Sequence, residues 1–525
     1  MDLFKERYQY FISHTGKSYK KHQEEGMLWC VSQENIKHPY QSIHGGIVAD
    51  EMGCGKTLMM ISVIVCNPLP KTLIILPLAL VSQWKTNIYE LTGHTPFIYY
   101  GNTVKGSDHK LLSNSSPIII TTYGVVAHSI SHDHLPNTLF RIHWNRIIFD
   151  EAHHMRNTTY KYKAGLALKS EIKWTITGTP IQNKMKDLYN LCKIIGINKS
   201  RSIPIDILKQ HIIRRTKSDV GIILPPLIIH ESSVEWNNDD EKMIASILHK
   251  KMTNSICIND NHNNYCEEKN YLRCNNEDEF IYELPTTNSN IPVDIPDSKN
   301  YCLHLSNRET LSFISPCEKE FNTSLSIENT FGIHRLVYFI RCKQMCTLPK
   351  LLSKLENDST YDEQSIIKNG LLNTNKIDEL VKCIKVNQYN GNKKIVFCTF
   401  RKEMDLIKEH LFNAGIYNTY CYDARISRKD RNDIIENKPD VLLLQIKMGC
   451  EGLNLQYANE VYFVGPLWNP AMEDQAIARC YRLGQNKPTH VYKYNMCNID
   501  NNVHSIDQYT HFVENGKREI MNCIC

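Results

Sequence analysis

No Cys-x-x-Cys pair occurs in this 525-residue chain, although it holds 19 cysteines. That spacing fits reduced thiols packed as small apolar residues in a reducing compartment, with a zinc site built from distant cysteines as the alternative. No apolar run reaches the ~18 residues of a membrane span. The opening string MDLFKERYQYFISHTGKSYKKHQ has no apolar h-region, so no secretory signal is expected. Helix-turn-helix, homeodomain and zinc-finger readers are missing, which leaves no obvious way to read a base sequence. Net charge is only +5, which permits a polyanionic partner without requiring one.

What is present is apolar strand patterning in two stretches. In the first, IHGGIVA, TLIILPL, SPIIITTY, NRIIFDE and WTITGTP are β-branched runs ending in turn residues, each followed by a longer segment. In the second, KKIVFCTF, TYCYDA, PDVLLLQIK, EVYFVGP and THVYKYN repeat the style. Such runs predict buried parallel strands joined by crossover helices. The expected organisation is an N-terminal segment 1–18, a first lobe 19–229, an insertion 230–335 and a second lobe 336–525. From Lys251 to Asn300 asparagine fills 11 of 50 positions, so the insertion is expected to be partly disordered, with a small folded module as the alternative.

Four strings carry chemistry. In DEMGCGKT, a strand feeds a glycine-rich turn into a helix, aiming N–H groups at phosphate. Asp50, Glu51, Met52, Gly53, Cys54 and Gly55 form the turn. Lys56 adds charge and Thr57 offers a hydroxyl to Mg²⁺. Asp50 stands where the strict pattern has glycine. In IIFDEAHH, Asp150 closes an apolar strand and is expected to hold Mg²⁺, while Glu151 orients and deprotonates a water. His153 and His154 are expected to make polar contacts. In TITGTPIQN, Thr177, Gly178, Thr179, Gln182 and Asn183 form a polar turn suited to coupling. In DQAIARCYRLGQ, Arg479 and Arg482 lie three apart and are expected to share a helix face, from which they could neutralise a phosphoryl group.

Taken together, the chain resembles the Swi/Snf-type DNA translocases of helicase superfamily two. KKHQEEGMLW is similar to the family's Q motif, implying that Gln23 reads adenine. LIILPLALVSQW and IIITTYGVV resemble motifs Ia and Ib, implying that Thr121 and Thr122 face DNA. DEMGCGKT is the family's own form of the phosphate loop. KKIVFCTFRKEMD, LLLQIKMGCEGLNLQYAN and the arginine string resemble motifs IV, V and VI, and PLWNP precedes the last, implying that Trp468 packs on DNA. HIIRRTKSDV matches the segment closing lobe one. The resemblance implies two RecA-like parallel-sheet lobes, a P-loop NTPase with ATP in the cleft between them, ATP and Mg²⁺ as cofactors and double-stranded DNA as partner. Gly452 and Gln485 join the coupling set. Within the family, HQEEGMLW, GGIVADEMG, DEAHHMRN and IRCKQMCTLP are most similar to the group of helicase-like transcription factor and lodestar-type termination factor.

Some members of that group insert a RING finger. Here Cys257, Cys266, Cys274, Cys302, Cys317, His262 and His304 lack its spacing, so no zinc and no ubiquitin ligase are expected. Cys450, Gln445 and Ala424 depart from the family's usual residues without removing a catalytic group. Basic candidates for a DNA grip are Lys85, Arg214, Arg215, Lys217, Arg401, Arg428, Arg431 and Lys447, of which Arg431 and Lys447 lie in helicase-like segments. The expected activity is an ATP-dependent duplex-DNA translocase that remodels or displaces protein–DNA complexes for an unknown client. A strand-separating DNA or RNA helicase is the alternative. No membrane association is expected. The nucleus is the default location, with a cytoplasmic viral site as the other.

Overall fold

A computed structural model describes residues 1–36, 41–101, 116–131, 138–182, 185–198, 202, 204–254, 338–349, 352, 375–449, 453–500 and 503–524. The chain divides into two compact units, Met1–Ile223 (with the last two residues) and Leu224–Cys523. Each is an α/β unit built on one parallel sheet.

The first unit's sheet has seven strands in the order β3-β4-β2-β5-β6-β1-β7. They are β1 (His44–Val48), β2 (Thr72–Leu76), β3 (Phe97–Ile98), β4 (Ile118–Thr122), β5 (Trp144–Asp150), β6 (Ser170–Ile176) and β7 (Ile212–Ile213). All neighbours pair in parallel. The central strands are buried almost throughout, which is why they read as continuous apolar runs. Crossover helices such as Lys56–Cys66 cover the faces.

The second unit's sheet has six strands, β10-β11-β9-β12-β13-β8. They are β8 (Leu227–Val234), β9 (Lys394–Cys398), β10 (Thr419–Tyr422), β11 (Val441–Gln445), β12 (Glu460–Phe463) and β13 (Thr489–Met496), again all parallel.

Three segments differ from the expected organisation. The N-terminal helix Asp2–His14 buries Tyr8, Phe11 and Ile12 in the first unit's core, so residues 1–18 are not a separate segment. Residues 230–234, expected to open the insertion, complete β8 against β13. The helix Asp239–Asn254 then places Ile244, Ala245 and Leu248 in the second unit's core beside Phe339 and Cys342. The rest of the insertion, with the seven Cys and His residues named above, lies outside the described residues. Among the described residues no group of three or more His, Cys, Asp or Glu is placed to hold a metal ion, and no helix is long and apolar enough to cross a membrane.

Candidate nucleotide site

Register brings the chemistry of the first unit to one level. Val48 pairs with Ile176, and Ile176 pairs with Asp150. The three adjacent strands β1, β6 and β5 therefore end in a row. Directly beyond that row lie the glycine-rich turn, the Thr177–Thr179 turn and the Asp150–Glu151 pair. The carboxyl ends of parallel strands are where such sheets bind ligands.

The turn after β1 is shaped by Gly53 and Gly55 at φ of 92° and 88°, a region a side chain disfavours. Gly55 also precedes the helix Lys56–Cys66, whose N-terminus has no side-chain cap, so its first N–H groups remain for an anion. Lys56 Nζ donates across the turn to the carbonyls of Asp50 (2.7 Å) and Glu51 (3.2 Å). Burial lowers its ammonium pKa, against the opposing pull of Glu151 and Asp50. Gln23 and His22 reach in from the helix Lys21–Asn35, both bonding the carbonyl of Cys54 (3.3 and 3.0 Å). A Cβ on Gly55 would lie 2.2 Å from Gln23 Nε2, so only glycine lets that side chain close over the turn. At its other end the helix is anchored by Glu34, which takes a bidentate Arg146 pair (2.6 Å each) and the indole N–H of Trp174.

Asp50 and Glu51 do not turn their side chains to phosphate. Asp50 is buried and accepts from Arg215 Nε (3.1 Å) and Nη2 (2.5 Å). Glu51 accepts from Lys217, at both its N–H (2.8 Å) and its ammonium (2.7 Å). Arg215 Nη1 also bonds the His22 carbonyl at 2.5 Å. The acidic pair thus braces the turn, and Arg215 and Lys217, expected as candidates for a DNA grip, are engaged in holding it.

On β5, Asp150 is 7% exposed. Burial pushes its carboxyl up to about 6, helped by the adjacent Glu151. Trp84 Nε1 donates to Oδ2 (2.7 Å), the Glu151 N–H to Oδ1 (2.9 Å), and the Tyr123 hydroxyl to the Asp150 carbonyl (2.8 Å). Glu151 adopts a left-handed backbone with φ of 50°, uncommon for a side-chain-bearing residue, and its carboxylate meets His153 Nδ1 at 3.3 Å. His154 stacks on His153 and approaches Tyr123. In the third turn, the Thr177 N–H bonds the Val48 carbonyl (3.0 Å) and Gln182 Nε2 donates to Thr179 Oγ1 (3.0 Å). A Cβ on Gly178 would meet Met52 at 2.8 Å and Lys56 Nζ at 3.5 Å, so this turn lies against the glycine-rich one. Asn183 lies outside the described residues.

Trp84, Tyr123 and His22 were not singled out as site residues from sequence, and Arg215 was read only as a candidate for the DNA grip. Trp84 had a signal: Val81, Trp84, Ile88 and Leu91 form the apolar stripe of the helix Val81–Thr92, and Trp84 is its large member near the end of β2, the strand beside β5.

Other expected positions fare differently. Thr121 and Thr122 are buried, with Thr121 Oγ1 donating to the Tyr99 carbonyl (2.8 Å) and Thr122 Oγ1 accepting from the Val125 N–H (3.4 Å). Their side chains do not face an outside polymer. In the second unit, Trp468 is partly buried between Phe339, Tyr509 and the Lys517 ammonium 4.8 Å from its ring, so it serves packing there. Arg431 is also partly engaged, donating to the Ile426 carbonyl (2.8 Å) and lying over Tyr422. Arg479 and Arg482 do not share a helix face: the helix Pro470–Ile477 has ended, and both sit in the turns that follow. Burial and the neighbouring Arg479 charge lower Arg482. Gln485 pins these turns, donating to the carbonyls of Gln456, Ala458 and Cys480. Gly452, Cys450 and the side chains of Lys447 and Arg428 lie outside the described residues.

Comparison with known families bears on both units. Residues 22–205 match the SNF2-related domain and residues 375–484 the helicase conserved C-terminal domain. Each of the two compact units thus contains a stretch that matches one of these helicase-type domains. It is similar to the DNA repair protein rad8 of Schizosaccharomyces pombe, 27% identical over 87% of this chain and 50% of that protein. It is also similar to the DNA repair protein RAD5 of Saccharomyces cerevisiae, 24% identical over 86% of this chain and 51% of that protein. The chain thus spans about half the length of these curated relatives. Among solved structures, the Sulfolobus solfataricus SWI2/SNF2 ATPase core in complex with dsDNA is 20% identical, covering 96% of this chain and 97% of that one at a TM-score of 0.37.

Proposed function

We propose that this protein is an ATP-driven translocase on double-stranded DNA that remodels or displaces protein–DNA complexes. One observation carries the nucleotide part: the glycine-rich turn, the Asp150–Glu151 pair and the Thr177–Thr179 turn stand at the level ends of three adjacent strands. The residues fit a magnesium nucleotide, which when bound supplies the phosphoanhydride whose cleavage drives movement. The uncapped helix start at Lys56, with the backbone N–H groups of Gly53 to Thr57, binds phosphate oxygens. Lys56 exchanges its bonds to the turn's own carbonyls for phosphate. Thr57 and Asp150 hold the cation, and Glu151 orients the attacking water and takes its proton. Gln23, held over Gly55, reads the base.

The DNA part rests on the SNF2-related match and on the names of the relatives, which also suggest DNA repair and hence the nucleus as its setting. Similarity of segments such as IRCKQMCTLP supports a place near helicase-like transcription factor and lodestar-type termination factor. With backbone phosphates as the grip, binding is largely independent of sequence and weakens with salt.

The test is ATP hydrolysis with no nucleic acid, duplex DNA, single-stranded DNA and RNA. Stimulation by duplex DNA is expected; stimulation only by single strands or RNA would make the protein a strand-separating helicase. Lys56→Ala and Glu151→Gln should each lower turnover by at least ~10³-fold without loss of fold, a loss in line with removing a directly acting group. Normal turnover in either variant overturns the site assignment.

A further inference from the structure

We propose that Trp84 and Tyr123 are positioning residues that hold Asp150 in its cation-binding posture. The inference deepens the nucleotide reading above and rests on it. Asp150 is nearly sealed from water, and each of its oxygens has a fixed donor. Oδ1 is held by the N–H of Glu151 (2.9 Å), a bond within its own chain turn. Oδ2 is held by the indole N–H of Trp84 (2.7 Å), and the main-chain oxygen by the Tyr123 hydroxyl (2.8 Å). Both aromatic donors come from the first turns of helices that follow neighbouring strands. β2 lies beside β5, and β4 lies beside β2. Trp84 follows β2 in the helix Val81–Thr92, and Tyr123 opens the helix Tyr123–Ser131 directly after β4.

The chemistry of the donors suits this task. An indole N–H donates one bond, accepts none, does not ionise in this range and does not ligate a metal. It fixes a carboxylate without competing for the cation. Trp84 is itself only 1% exposed and packs in the first unit's main core, so the donor is rigid. Tyr123 secures the carbonyl immediately before Glu151, whose left-handed backbone needs an outside restraint to persist. The two rings thus restrain the cation carboxylate and the peptide that aims Glu151. Groups that orient a metal ligand in this way are worth 10–100-fold in metal affinity or activity.

The experiment measures Mn²⁺ binding to the full chain by electron paramagnetic resonance, with a non-hydrolysable ATP analogue present. Affinity for the metal-free nucleotide is measured in parallel with chelator. Trp84→Phe should weaken Mn²⁺ binding at least ~tenfold and leave metal-free nucleotide binding within twofold. Tyr123→Phe, which keeps its ring, should shift Mn²⁺ binding in the same direction. Ile88→Ala, one turn along the same buried stripe, should lower thermal stability and leave Mn²⁺ affinity unchanged. Mn²⁺ affinity within twofold of the unaltered chain in both aromatic variants, or an equal loss in Ile88→Ala, would overturn the positioning role. Failure of the unaltered chain to bind the nucleotide at all would overturn the nucleotide reading itself.

Discussion

Asp50 shows how one residue changes meaning between sequence and structure. By spacing it occupies a position in a phosphate loop; by geometry it is an anchor, buried and gripped by two nitrogens of Arg215. The ion-pair side chains are 16% and 2% exposed, so Arg215→Met would strand a carboxylate out of water. Urea unfolding should show the first unit losing about 3–5 kcal/mol, the usual consequence of breaking a buried pair. The double variant Asp50→Asn, Arg215→Met should recover most of that, because no lone charge remains. A single variant as stable as the unaltered chain would mean the pair does not hold the turn. This pairing was illegible in the sequence because it joins residues 165 positions apart. Asp150 and Glu151 lie at and just past the end of an apolar strand, and Lys56 opens the helix after the glycine-rich turn, so their places in the fold were legible from local patterning.

At the scale of elements, the strands were readable and their close approaches were not. Double-sided burial makes β2, β4 and β11 nearly uninterrupted apolar runs, so periodicity and composition agree. The glycines of β1 carry a further constraint. Gly45 has φ of 109°, and a Cβ there would lie 2.1 Å from the Lys173 carbonyl of β6. Gly45→Ala should therefore cost about 3–5 kcal/mol in unfolding experiments, more than a loss of chain flexibility alone explains. A change below 1 kcal/mol would show that β1 and β6 can separate freely. Helix ends were less legible. The string DQAIARCYRLGQ has helical composition throughout, yet the helix Pro470–Ile477 stops before its arginines. The long-range grip of Gln485 on Gln456 and Ala458 and the left-handed Gly484 hold the following turns instead, and neither is a local signal.

For the molecule as a whole, the two compact units give stability two separate sources, and the second carries a proton-linked component. Glu403 is buried, accepting the N–H groups of Thr399 (3.1 Å) and Phe400 (2.9 Å) at the start of the helix Arg401–Asn413. Burial pushes its carboxyl up to about 7, from an ordinary value near 4.5. Because the folded form holds its proton more tightly than the unfolded form, this contribution is complete below about pH 4.5. It is lost as pH rises through 7, with a slope approaching about 1.4 kcal/mol per pH unit between those values. Glu403→Gln keeps an acceptor for both N–H groups and does not titrate. Denaturant unfolding from pH 5 to 8 should thus show a shallower decline for this variant; an unchanged slope would place the linked proton elsewhere.

Strand β8 is needed by the second sheet and is supplied 262 positions before its partner, Leu227 pairing with Thr489. On a ribosome adding roughly 5–20 residues each second, it waits on the order of ten to fifty seconds for β13 to be made. During that time its apolar start, Leu227-Ile228-Ile229, has no strand to join. All strands of the first sheet are made before β8, whereas the second sheet lacks β8's partner until residues 489–496 are made. For that interval its backbone N–H and C=O groups are an open edge on which another extended chain could pair.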